Sequence, residues 1–107
     1  MNLNELLSGL PGETLIRQGL TDFLGGQTTV PACLIGIAQT RFRRAGLLGE
    51  SAVSKLTDPE LILYALLRRE GGDAYARYNA LLGELVSFEQ ALDHRLSRLH
   101  RQQPFTE

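Results

Sequence analysis

A chain of 107 residues with 43% apolar side chains is large enough to bury a core without staples, and too hydrophobic to be disordered. Its net charge of -1 supplies no chain-wide positive field to draw in nucleic acid or an anionic membrane. The single cysteine, Cys33, excludes an intrachain disulfide and a multi-cysteine zinc site.

Aromatic residues make up only 7% and tryptophan is missing, so Leu, Ile, Val and Ala must fill the core. β-branched residues are scattered and no stretch sustains an alternating pattern. Helix stops are frequent, so the expected fold is all-α. It is a compact bundle of four to five helices in a single domain over residues 1–107.

Residues 2–9 read as a short helix offering Leu3, Leu6 and Leu7, interrupted at Pro11-Gly12. The second segment, 12–24, sets Ile16, Leu20, Phe23 and Leu24 on one side and Arg17, Gln18, Thr21 and Asp22 on the other. Gly25-Gly26 ends it. The third segment, 29–45, opens with Thr28 or Thr29 as cap and Pro31 in the first turn. From Val30 to Ala38 it is apolar on every face, which predicts a helix surrounded by others, with Leu34 and Ile37 in the core. Gly46 suits the residue after its end, with Phe42 and Leu47 spaced for the apolar contact of a Schellman motif.

Residues 46–57 form the longest irregular stretch. The fourth helix then starts at Thr57-Asp58-Pro59-Glu60, either capped by Asp58 or through a Thr57–Glu60 capping box. Leu61, Ile62, Leu63, Leu66 and Leu67 are its expected core residues, and Gly71-Gly72 stops it. The fifth helix runs from Asp73 to Gln102, with Tyr78, Leu85, Leu92 and Leu99 recurring every seven residues and Leu81 and Phe88 between them. It is about 45 Å long against about 20 Å for the second and fourth.

No motif names an activity. No Glu stands three residues before a His, as a di-iron bundle requires. His94 and His100 point apart on a helix and sit among Arg95, Arg98 and Arg101, which repel a cation. Cys33 lies in the apolar half of the third helix, where a buried, inert thiol is expected rather than a nucleophile, although the nearby helix N-terminus favours its thiolate slightly. The glycine pairs follow helices and so are not phosphate loops. The expectation is a non-enzymatic protein without cofactor or metal.

Three surfaces are candidates for function. Leu92, Leu96 and Leu99 form a stripe on the fifth helix, beside Arg95, Arg98 and Arg101. If that tail projects beyond its shorter neighbours, two tails can pair, so the first-ranked partner is a second copy of the chain or another protein. The competing arrangement folds Leu3, Leu6 and Leu7, or Phe105, over the stripe.

The second surface is basic. Residues 41–57 carry a local charge of +3, from Arg41, Arg43, Arg44 and Lys55 against Glu50, and Arg68 and Arg69 end the fourth helix. The second and third segments have helix-turn-helix proportions, which makes a nucleic-acid regulator the alternative. It is disfavoured because the start of the would-be recognition helix, Val30 to Ile37, is apolar and the arginines lie at its far end. Cations near a helix C-terminus also have the simpler role of complementing its dipole.

The third surface is Tyr64, Tyr75 and Tyr78, near the junction of the last two helices, where they can line a small-ligand pocket or simply bury their rings. Met1-Asn2-Leu3-Asn4-Glu5 is not a basic signal-peptide start, and Val30 to Ala38 is about half the ~20 residues needed to cross a bilayer. A soluble cytoplasmic location without membrane contact is therefore expected.

Overall fold

The structure, a computed structural model, describes residues 3–49 and 56–102, with side chains described through Leu99. Glu50, Lys55 and Phe105 lie outside the described residues, as do the side chains of His100 and Arg101. The protein is all-α. Among the described residues there are six helices: α1 (Leu3–Leu7), α2 (Glu13–Leu24), α3 (Val30–Ile37), α4 (Gln39–Arg44), α5 (Pro59–Glu70) and α6 (Ala74–Gln102).

α1 and α2 are joined through two paired side chains, Glu13 and Arg17. Glu13 accepts from the Gly9 amide at 2.9 Å and from Arg17 Nε at 2.6 Å. Arg17 also donates to the Asn4 carbonyl. These donors, the Gly9 amide first, hold the Glu13 carboxyl below its ordinary range. α2 ends in a full Schellman motif: Gly26 takes φ 75, its amide donates to Phe23 O, and the Gln27 amide donates to Asp22 O.

The α2–α3 corner is fixed by Asp22, which the sequence placed on the solvent side. It is buried instead, accepting from Thr29 Oγ1 at 2.7 Å and from Gln18 Nε2 at 2.9 Å. Thr29 in turn caps α3 by accepting from the Ala32 amide. Leu24, expected in the core, is exposed.

α3 lies between α2 and α5. Ala32, Cys33, Leu34, Ile35 and Gly36 are all buried. Ile37 is half-buried at the edge of the same core. The contact with α2 depends on Gly19, because a Cβ there would come within 2.6 Å of the Pro31 carbonyl oxygen and 2.8 Å of Ile35. Gly19→Ala is therefore expected to destabilise the protein by up to about 2 kcal/mol, an overpacking cost of about 1–3 kcal/mol less the roughly 1 kcal/mol that alanine gains in a helix. Gly83 in α6 is the control, since a Cβ there meets nothing within 4 Å. Gly83→Ala should stabilise by up to about 1 kcal/mol. Thermal unfolding of both variants checks this, and equal shifts would disprove the close α2–α3 contact.

The expected 29–45 helix is two helices. Ala38, at φ −97 and ψ 10, separates α3 from α4, although amides on both sides still bond four residues back. The bend divides two packing tasks. α3 packs on α2 and α5, whereas α4 seats Phe42 against Phe88 of α6. α4 closes as the sequence implies: the Gly46 amide donates to Arg43 O and the Leu47 amide to Phe42 O, with Phe42 and Leu47 both buried.

α5 opens on Pro59, but Asp58 takes a left-handed φ of 51 and makes no side-chain cap bond. Neither capping arrangement expected there forms. Asp73 does cap α6, accepting from the Ala76 amide at 3.1 Å. α6 has 29 residues and packs along α5, α3 and α1, burying Leu85, Phe88 and Leu92. No helix among the described residues is long and apolar enough to cross a membrane.

Candidate functional site

The corner between α5 and α6 is built by the Gly71–Gly72 stop, which returns the chain along α5 and brings Tyr64 against Tyr78. Their rings meet edge to face with centroids 5.7 Å apart at 76°. Arg77 pairs with Glu70 across the turn. Tyr75 does not join them and points out, 67% exposed.

Beside the tyrosine pair lies a shallow depression lined by Glu60, Leu61, Tyr64, Ala65, Arg68 and Tyr78. Leu61 was expected in the core and is instead 71% exposed, the most exposed large apolar side chain among the described residues. The sequence held the signal for this. At about 100° per residue, Leu61 stands roughly 160° around the helix from Leu63. One buried face cannot hold both, and Leu63 and Leu67 take it.

The arginines do not form a single patch. Arg41 donates to Glu89 Oε2 at 3.0 Å, and Arg43 donates to Gln39 Oε1 on its own helix. Arg41 and Arg44 border grooves between α4 and α6 that also hold Glu89 and Asp93, so carboxylates sit among the cations. Glu89, buried and turned toward α4, was not foreseen. Arg68 belongs to the α5 depression, and Arg69 is exposed on α5. The helix that would enter a DNA groove, α3, is enclosed between α2 and α5.

The tail stripe is also not open as expected. Leu92 is buried in the chain's own core, while Leu96 and Leu99 are half-buried. Arg95 reaches across to α1 and donates to the carbonyls of Leu6 at 2.8 Å and Ser8 at 2.6 Å. α1, too short to stand alone, docks there through Leu7 because α6 offers both an apolar seat and a cation for its free carbonyls.

Cys33 is fully buried, and desolvation pushes its thiol pKa up, against the small lowering expected from the helix end. His94 is exposed. No group of three or more His, Cys, Asp or Glu among the described residues is arranged to hold a metal ion. Comparison with protein-family profiles, curated proteins and solved structures finds no match to this chain.

Proposed function

We propose that this chain is a non-enzymatic helical module that binds another protein surface, using the outward face of α5 and Tyr78 of α6. The observation that carries the reading is Leu61, 71% exposed in a depression whose other apolar lining is Tyr64, Ala65 and Tyr78. A leucine that none of the described residues covers, beside two aromatic rings, keeps apolar area in water that a partner can remove. The tyrosine pair supports the reading further, because rings that brace each other lose little freedom on binding. Charged residues at the border, Glu60 and Arg68, resemble the polar rim around the apolar centre of an interface.

A photo-reactive amino acid at position 61 tests this in living cells. A covalent adduct with a protein is expected on illumination. Its loss in a Tyr64→Ser/Tyr78→Ser variant that still folds ties the contact to this face. Illumination that gives no protein adduct at this position, while a small-molecule adduct forms, would replace the module with a ligand-binding domain.

A further inference from the structure

The face just described is self-complementary, and we infer that its occupant is a second copy of this chain, with the two α5 helices antiparallel across a two-fold axis. The inference rests on the binding-module reading and names its partner.

Glu60, Tyr64 and Arg68 are spaced by four residues along one face of α5, and Leu61 and Ala65 flank them on the same side. The face is therefore acidic in the first turn, apolar in the middle and basic in the last turn. Among the described residues neither Glu60 nor Arg68 forms an ion pair within the chain, although Glu13, Glu70 and Glu89 all do.

A two-fold axis through Tyr64 sets each Glu60 opposite the partner copy's Arg68, four residues to either side of the axis. Both charges are then matched twice by one operation, as an isologous contact demands. Parallel helices would instead oppose Glu60 to Glu60 and Arg68 to Arg68. Near the axis the small, exposed Ala65 lets the helices approach, and Leu61 of each copy falls beside Tyr64 and Ala65 of the other. The antiparallel pairing thus covers the exposed leucine and pairs both Glu60 and Arg68, which have no ion-pair partner among the described residues. α5 has 12 residues, about 18 Å of helix, so the interface is at the small end for specific contacts.

Sedimentation equilibrium on the intact chain and on charge-reversed variants tests the inference. All the substituted positions are solvent-facing, and far-ultraviolet circular dichroism verifies that each variant folds. Glu60→Arg and Arg68→Glu should each weaken self-association about tenfold, because two symmetric attractions become two repulsions. Mixing the two variants should restore association between unlike chains, and the double variant Glu60→Arg/Arg68→Glu should again pair with itself. Leu61→Glu should abolish pairing. A dimer that ignores all these substitutions would overturn the α5 pairing while leaving the module reading standing with another surface. A chain that stays monomeric into the millimolar range also overturns the pairing. If position 61 then cross-links to a different protein, the module reading survives, and if it cross-links to none, both fall.

Discussion

Phe88→Ala is expected to remove about 3–5 kcal/mol of stability, the upper range for truncating a buried side chain. Phe88 is fully buried on α6, and its ring meets Phe42 of α4 with centroids 5.7 Å apart at 66°. Truncation loses the transfer energy of the ring and leaves a cavity, and it also removes an edge-to-face pair worth about 0.5–1.5 kcal/mol beyond area burial. The loss is not confined to α6. Phe42 also supplies the carbonyl that accepts from Leu47 at the end of α4, so the seat of that whole turn loosens. Urea denaturation gives the value directly, and a loss under about 1 kcal/mol would show that the site collapses onto the missing ring.

The second large effect belongs to α3. Leu34→Ala should cost about 2–5 kcal/mol, near the upper part of that range because helices on two sides hold the walls apart. Leu34 has no exposed surface. Ile37 is on the same helix but only half-buried, so Ile37→Ala should cost clearly less than Leu34→Ala. Equal losses at the two positions in the same denaturation series would contradict the placement of α3 between α2 and α5.

These two sites differ in how far the residues announced them. The burial of Leu34 followed from a run that is apolar on every face, and the close of α4 followed from Phe42, Gly46 and Leu47 at motif spacing. Both are local facts, fixed within a few turns of chain. Gly19 was silent because a glycine inside a helix shows only a missing side chain, not the carbonyl of Pro31 waiting 2.6 Å from where a Cβ would be. Asp22 read as a solvent residue because its partner Thr29 lies beyond the corner that the pair itself creates. The break at Ala38 carries no proline or glycine of its own, and the different partners of the two helices, α2 and α5 for α3 and α6 for α4, account for it.

The candidate site was half legible. Tyr64 and Tyr78 were singled out and do meet, whereas Tyr75 points away. Leu61 is misleading in the sequence because the four leucines and one isoleucine at 61, 62, 63, 66 and 67 look like one face, although Leu61 and Leu63 stand on opposite sides of the helix. For the tail stripe the residues allow two arrangements, a pairing of projecting tails or cover by Leu3, Leu6 and Leu7, and periodicity alone does not choose between them; the bond from Arg95 to the Leu6 carbonyl joins α1 to α6 within the chain.

That last contact has a kinetic consequence. Arg95 meets the Leu6 carbonyl across 89 residues of sequence, so closing it costs more chain entropy than any local contact of α1. A five-residue helix does not persist by itself in water. α1 must then dock last, onto a scaffold already assembled, and it should be the first cooperative unit to leave under native conditions. Amides at the start of the chain would exchange with solvent through that opening while those of α3 wait for global unfolding. Each such opening exposes Leu7 and frees the Arg95 guanidinium while the rest of the bundle stays folded.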